Sequence, residues 1–171
     1  MRARLTCLLA LAWLGGCGDP ARDDAIDRLG GEAAGVRPGP LHRPGQPCVA
    51  PCHDGSGPGE GRFSVGGTVF ELPETRVPVV DALVHLLDST GRRYDTATNC
   101  AGNFYVDARD WEPVYPMWVS MEFGGVKSPM NSPIFRFGGC ADCHLDPASE
   151  TSAGHVFFAP ISLGVPLGNC R

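Results

Sequence analysis

The chain has 171 residues, of which 14 are Lys or Arg and 19 are Asp or Glu, giving a formal net charge of −5 at pH 7. This acidic balance argues against nucleic acid as a partner, because binding to a phosphate backbone needs clustered basic residues. The length fits one compact domain with a tether.

Residues 1–16 have the pattern of an export signal. Arg2 and Arg4 give a positive start, residues 5–14 are mostly apolar, and small residues precede Cys17. The apolar run is about half of the roughly 20 residues that a membrane-spanning helix needs. We therefore expect residues 1–16 to be a removable signal peptide and expect no spanning helix.

The end of this signal, Leu14-Gly15-Gly16-Cys17, resembles the bacterial lipobox. The resemblance implies that the signal is cut before Cys17 and that Cys17 carries the lipid. The protein would then be lipid-anchored to a membrane of the bacterial cell envelope, on the periplasmic side or at the outer surface, because buried acyl chains hold a protein at a bilayer. The alternative is an ordinary secreted protein in which Cys17 forms a disulfide.

Residues 17–47 combine Gly, Pro, Arg and Asp with few large apolar residues, a composition typical of a flexible linker. A helical turn is expected near residues 23–29, where Gly30 and Gly31 end it. Residues 48–61 form a loop that carries cysteine and histidine.

Beyond Gly61, short segments of β-type residues alternate with turn signals, which predicts an all-β fold, a small antiparallel β-sandwich over residues 62–137. A loop-rich cysteine and histidine segment lies at each end, the second at residues 138–171. Gly91 and Gly102 suit turns with positive φ. Val84, Leu86, Phe104 and Val106 are expected to point inward. Strands are expected at 63–70, 79–87, 103–107, 116–123, 133–137 and 155–158.

Three motifs resemble the carboxypeptidase regulatory-like (transthyretin-like) domain. They are FSVGGTV at residues 63–69, then an Ala-Leu-Val-x-Leu-Leu-Asp-x-x-Gly strand and turn, and then Thr-Asn-x-x-Gly-Asn-Phe-Tyr-Val. The resemblance covers about residues 62–137 and implies a β-sandwich scaffold without catalytic residues. Because no catalytic triad order or phosphate-binding loop stands out elsewhere, we do not expect an enzyme.

Cys140, Cys143 and His144 form C-x-x-C-H, the attachment motif of c-type haem. Two thiols at this spacing can bond to the two vinyl groups of one haem, while His144 binds the iron. The cysteine pair could instead bind zinc, form a disulfide or exchange thiols, although none of these alternatives needs His144.

Cys48, Cys52 and His53 form a second cluster, with three residues between the cysteines instead of two. Rarer c-type sites have this longer spacing, so the cluster is a candidate for a second haem bound through His53. The alternatives are a disulfide between Cys48 and Cys52 and a long-range bridge. Cys100 and Cys170 remain as a further disulfide candidate, which in a small domain contributes about 2–4 kcal/mol.

His42 precedes the first cluster and His155 follows the second. If each supplies a sixth ligand, the irons would be bis-histidine, low-spin and closed to substrates, which favours electron transfer over catalysis. The alternatives are that His42 is a solvated linker residue and that His155 is an ordinary strand residue.

The whole arrangement resembles small cytochrome-like lipoproteins of delta-class proteobacteria. The resemblance implies a membrane-anchored, c-type cytochrome-like electron-transfer lipoprotein on a β-sandwich scaffold, with one covalent haem c, a second as a further candidate, and a redox partner protein. The alternative is a non-redox, disulfide-stabilised envelope protein with a binding or structural role.

Overall fold

The computed structural model describes residues 18–32 and 35–158. Within them, one helix precedes seven short strands. These elements are α1 (Pro20–Arg28), β1 (Phe63–Thr68), β2 (Leu83–Leu87), β3 (Arg93–Ala97), β4 (Asn103–Asp107), β5 (Trp118–Phe123), β6 (Val126–Pro129) and β7 (Gly138–Gly139). The expected signal peptide, the expected lipidation site Cys17 and the cysteine at 170 lie outside the described residues.

Helix α1 begins earlier than the turn expected from the sequence. The side chain of Asp19 accepts hydrogen bonds from the backbone N–H groups of Ala21 and Arg22, both at 3.2 Å. Pro20 occupies the first turn, where its missing N–H costs nothing. Gly30, with φ of 75°, follows the end of the helix. Among the described residues, no helix has both the length and the apolar content needed to cross a lipid bilayer.

The seven strands form two sheets, so the expected β-rich fold is confirmed. One sheet has the order β4-β1-β7 and the other β3-β2-β5-β6. All the pairs are antiparallel except β1 with β7, which is parallel. The first sheet is therefore mixed, because the chain returns to β1 from the far side after a long excursion through the second sheet.

The strand boundaries differ from those expected in two ways. Strands β3 and β6 were missed because each lies at a sheet edge, where alternate residues face solvent and few are apolar. The expected strands at 133–137 and 155–158 are reduced to single bridges, Met117 with Ile134 and Phe70 with Phe157.

The core lies against β1, β2 and β4. The four residues expected to point inward are all buried, at 4% exposed or less: Val84, Leu86, Phe104 and Val106. Gly91 and Gly102 have φ of 85° and 75°, as their turn positions require. Strand β1 differs from its neighbours because it is buried on both faces, with Val65 in the core and Thr68 covered on the opposite side. The residues that cover this opposite face carry the first cysteine motif.

Candidate cysteine and histidine site

The first motif is a tight turn that lies over β1. The backbone N–H of His53 donates to the carbonyl oxygens of Cys48 at 3.0 Å and Val49 at 2.7 Å, which closes the turn. The N–H of Phe63, the first residue of β1, donates to the carbonyl of His53 at 2.8 Å. Val49 is 2% exposed and fixes the turn to the sheet. The motif is therefore hydrogen-bonded to the start of the central strand of the first sheet.

A glycine of β1 makes room for the first thiol. A Cβ atom at Gly66 would lie 2.7 Å from Sγ of Cys48 and 3.3 Å from Cγ2 of Val49. The first distance is shorter than side chains adopt when they pack, so any larger residue would push Cys48 away from the strand.

The second motif reaches β1 through β7. Gly138 pairs with Val65 in parallel register, and a Cβ at Gly138 would lie 2.9 Å from Cα of Val65. A short 3₁₀ turn, Cys140–Asp142, follows at once, and the N–H of His144 donates to the carbonyl of Cys140 at 3.0 Å. One helical turn therefore sets the position of His144 relative to the first cysteine of the motif.

The two motifs contact β1 at consecutive glycines. A Cβ at Gly67 would lie 2.8 Å from Cβ of Cys140 and 3.0 Å from its Sγ. Successive residues of a strand face opposite sides of the sheet, so Cys48 lies against the face that also carries Thr68, whereas Cys140 packs with the core. The two thiols therefore lie against adjacent glycines of β1.

All four motif cysteines are thiols in this structure. Burial raises the pKa of Cys48 to about 11. Burial, followed by the negative charges of Cys48 and Asp142, raises the pKa of Cys140 to about 12. Because the thiolate is the reactive form, both buried thiols are poor nucleophiles in the folded chain at neutral pH. The side chain of Cys143, in contrast, is exposed to solvent.

The histidines of the two motifs share one hydrogen-bonding pattern. Nδ1 of His53 lies 3.0 Å from the carbonyl oxygen of Glu60, and Nδ1 of His144 lies 3.0 Å from the carbonyl oxygen of Gly154. A carbonyl only accepts, so each Nδ1 is the donor, and in the neutral ring the lone pair is on Nε2. A backbone carbonyl on the other ring nitrogen is the usual support of a metal-binding histidine.

His42 lies beside His53, with ring centroids 6.2 Å apart and an interplanar angle of 71°. Nδ1 of His42 lies 3.2 Å from Oε1 of Glu32. Asn103 of β4 donates to the carbonyl of His42 at 2.9 Å, and the N–H of Gly45 donates to a strand hydroxyl at 2.8 Å. This part of the expected linker is therefore bonded to the first sheet, and His42 is half-buried, contrary to the alternative of a solvated linker residue.

His155, the second expected sixth ligand, lies between a carboxylate and a backbone carbonyl. It is 7% exposed, with Nδ1 2.7 Å from Oδ2 of Asp146 and Nε2 2.9 Å from the carbonyl oxygen of Leu72. Both partners are acceptors, so each ring nitrogen of His155 has an oxygen atom within hydrogen-bonding distance. His155 is also outside every regular strand, which differs from its alternative assignment as a strand residue.

Cys100, on the turn before β4, is disulfide-bonded. Its partner lies outside the described residues, so its pairing with Cys170 stays a prediction.

In the part of the chain that the structure describes, no three His, Cys, Asp or Glu side chains are arranged to hold a metal ion. The sequence does not predict the carbonyls of Glu60 and Gly154 that bond to the two histidines, because any residue type can supply a backbone carbonyl. It also does not predict that Gly66 and Gly67 leave the space that Cys48 and Cys140 occupy.

Comparison of the chain with protein-family models, with curated proteins and with solved structures gives no match.

Proposed function

We propose that the protein is a lipid-anchored, c-type cytochrome-like electron-transfer lipoprotein of the bacterial cell envelope. The residues that would hold covalent haem are Cys48, Cys52 and His53 in the first motif and Cys140, Cys143 and His144 in the second. The observation that carries the proposal is the geometry of the His42 and His53 pair.

Two imidazoles that bind one metal ion from opposite sides have a fixed separation. A metal–nitrogen bond of about 2.0 Å, with about 1.2 Å from the nitrogen to the ring centre, places the two centroids about 6.4 Å apart. The ring centroids of His42 and His53 are 6.2 Å apart, close to this value, and the two rings are inclined at 71°. Nδ1 of His53 donates to the carbonyl of Glu60, whereas Nδ1 of His42 lies 3.2 Å from Oε1 of Glu32 without a hydrogen bond between them, and Nε2 is the ligand atom that we propose in each ring.

The donor set therefore fits haem at the first motif, with two thiols for the porphyrin and two imidazoles for the iron. Haem, when bound, would supply a one-electron carrier, and with both His42 and His53 holding its iron it would be closed to substrates. At the second motif we propose His144 alone as an iron ligand, because each ring nitrogen of His155 already has an oxygen atom within hydrogen-bonding distance.

We further propose that the two sheets form a sandwich of the carboxypeptidase regulatory-like type, over about residues 62–137. Support comes from β1, which carries the FSVGGT segment at the centre of its sheet, and from the turn at Gly102 that begins β4. In this proposal the scaffold positions the cysteines and histidines and performs no chemistry itself. The lipid on Cys17 and the following tether would bring the domain to a redox partner protein at the membrane.

The test is expression of the full gene, with its signal, in a bacterial host that matures c-type cytochromes. We expect a Soret band, two haems per chain, and tryptic peptides with Cys48 and Cys140 that each carry the mass of haem. Changing His42 to Ala should leave both haems attached and convert one from six- to five-coordinate. The matched control is His85→Ala, which removes a histidine that pairs with Asp95 on the other sheet. A purified protein without a Soret band would contradict the proposal.

Anchoring is tested separately with Cys17→Ser in the same expression system. We expect the wild-type protein to fractionate with membranes and to carry fatty acid on its first mature residue. The variant should lose both properties, and equal lipid content in the two proteins would refute lipidation at Cys17.

A second candidate function is a disulfide-stabilised envelope protein with a binding or structural role. The disulfide at Cys100 favours it, because such bonds persist in oxidising compartments, where close cysteine pairs also oxidise. It predicts that the peptide with Cys140 and Cys143 is two hydrogens lighter than the dithiol and carries no haem. The same mass measurement therefore separates the two functions.

A further inference from the structure

Residues 143–155, which we call the motif loop, form a closed and hydrogen-bonded unit after the second cysteine motif. The N–H of Ala153 donates to the carbonyl of Cys143 at 2.9 Å. The hydroxyl of Ser152 accepts from the N–H of Leu145 at 2.8 Å, and the carbonyl oxygens of Leu145 at 2.5 Å and Cys143 at 3.2 Å lie within reach of its proton. The two ends of the loop are thus joined at its base, beside His144.

The orientation of His144 depends on the far end of this loop. Its Nδ1 donates to the carbonyl oxygen of Gly154 at 3.0 Å. Gly154 has φ of 76°, and a Cβ there would lie 3.2 Å from Cβ of Ala148, so close packing and backbone conformation both restrict this position. The direction of its carbonyl is set by how the next residue, His155, is held.

His155 is held at three atoms. Its backbone N–H donates to Oδ1 of Asp146 at 3.3 Å, its Nδ1 lies 2.7 Å from Oδ2 of the same carboxylate, and its Nε2 lies 2.9 Å from the carbonyl oxygen of Leu72. Arg76 pairs with the same carboxylate at 2.7 Å, and Phe70 packs edge-on against the imidazole at 4.9 Å. The ring therefore connects the motif loop to the segment that follows β1.

We infer that His155 is a positioning residue for His144: by anchoring Gly154 to the body of the protein, it fixes the carbonyl that keeps the proton of His144 on Nδ1. His144 thus keeps the lone pair on Nε2. The role of this nitrogen toward iron rests on the proposed function, whereas the position of the proton does not.

The physical reason is that a histidine with a fixed carbonyl on Nδ1 keeps one tautomer and one ring orientation. Supporting groups of this kind also raise the basicity of the ligand nitrogen, and their loss commonly weakens metal binding 10- to 100-fold. In free histidine the proton favours Nε2, so a loop that loosens at Gly154 would let the proton move to the nitrogen that has to bind the metal.

The test uses the full mature chain, labelled with ¹⁵N-histidine and produced without haem, together with the haem-loaded protein from the maturing host. Nitrogen NMR reports the tautomer of each ring. We expect the wild-type His144 to hold its proton on Nδ1, and we expect His155→Leu to raise the Nε2–H population severalfold. His53 is the internal control, because its carbonyl partner belongs to a different loop. His85→Leu is the matched control variant, and both controls should leave His144 unchanged.

Two further variants keep the test decisive if His155→Leu does not fold. His155→Gln retains a side-chain donor for Leu72 and should restore part of the Nδ1–H population. Asp146→Asn leaves the bond to Leu72 in place and should give an intermediate population. An unchanged tautomer of His144 in all the folded variants would overturn the inference.

The haem-loaded protein separates this inference from the proposed function. If His155 only positions His144, His155→Leu raises the reduction potential and leaves the coordination number unchanged, because a less basic ligand stabilises ferric iron less. A change from six- to five-coordinate iron would make His155 a ligand and would overturn the inference. If no preparation contains haem, the proposed function fails, and the tautomer measurement alone decides the inference.

Discussion

The imidazole of His53 stacks on the ring of Phe63, with centroids 4.2 Å apart and an interplanar angle of 12°. On its other side, Phe63 stacks on Tyr105, whose centroid is 4.7 Å away. The histidine of the first motif is therefore held in place by the first residue of β1 and, through it, by β4.

We expect Phe63→Leu to destabilise the protein by about 1–2 kcal/mol, because it removes two ring contacts together with their buried area. The matched control is Tyr105→Leu, which removes only the outer contact from a residue that is 40% exposed and should cost less. Urea unfolding of the three proteins at pH 7 measures both changes. Equal losses in the two variants would show that the contact with His53 contributes nothing.

The fit between Gly66 and Cys48 gives a second prediction. Gly66→Ala places a methyl group 2.7 Å from Sγ of Cys48, and overpacking of this kind costs about 1–3 kcal/mol. Removing the sulfur with Cys48→Ala should recover most of the loss in the double variant, because the two changes share one contact.

The control for this cycle is Gly31→Ala, since nothing lies within 4 Å of a Cβ at Gly31. Denaturant unfolding of the single and double variants gives the coupling energy directly. Strict additivity of the Gly66 and Cys48 changes would show that the two residues do not touch in solution.

The buried thiols predict a loss of stability at alkaline pH in the reduced, haem-free protein. Burial raises the pKa of Cys48 from 9.0 to about 11 and that of Cys140 from 9.0 to about 12. The unfolded chain therefore ionises first as the pH rises, so stability is complete below pH 9 and falls progressively toward pH 11–12. Unfolding midpoints measured from pH 7 to pH 11 should show this decline, and replacing both cysteines with Ala should flatten it. A wild-type profile that is already flat above pH 9 would contradict the assigned burial.

The carboxylate of Asp88 gives the opposite pH dependence, a loss of stability as the pH falls. Its carboxylate is 1% exposed and accepts from the hydroxyl of Thr90 at 2.6 Å and from the N–H groups of Thr90 and Arg92 at 2.9 and 3.0 Å. The hydrogen bond from the Thr90 hydroxyl, followed by the backbone donors, lowers the pKa of Asp88 below its ordinary value. This stabilisation of the β2–β3 turn is therefore present above the ordinary pKa of 3.8 and is lost as the pH falls below it.

We expect Asp88→Asn to lower the melting temperature by several degrees at pH 7, because an amide replaces one accepting oxygen with a donor. The difference from the wild type should shrink at pH 3, where the wild-type carboxyl is itself becoming protonated. Ser89→Ala is the control, since Ser89 is exposed on the same turn. A difference that stays constant from pH 7 to pH 3 would show that the charge of Asp88 does not matter.

The sequence predicted the elements that have a strong local signal. The inward residues of β2 and β4 follow from the alternation of apolar and polar positions, and the turn glycines follow from the residues around them. The edge strands β3 and β6 could not be found in this way, because their exposed sides remove the alternation and their pairing depends on distant neighbours. The parallel pair of β1 with Gly138 and Gly139 is a contact across most of the domain, which no local pattern encodes.

Some residues of the candidate site could likewise be predicted from the sequence, whereas others could not. Residue spacing alone identified the motif cysteines and the motif histidines as candidates for binding haem. Position in the chain suggested His42 and His155 as further iron ligands. Only the fold distinguishes the last two, because His42 faces another imidazole whereas His155 lies between a carboxylate and a carbonyl. Partners supplied by the backbone, such as the carbonyls of Glu60 and Gly154, leave no trace in residue identity.

Burial of β1 on both faces has a consequence for the order in which the protein is made. The sulfurs of Cys48 and Cys140 lie against Gly66 and Gly67, at positions where the folded chain leaves no room for even one more methyl group. On the proposed function, an enzyme that attaches haem to these sulfurs would therefore have to reach them before they pack against the strand. Chemical maturation would come first and folding second, so a chain that folds too quickly would escape modification.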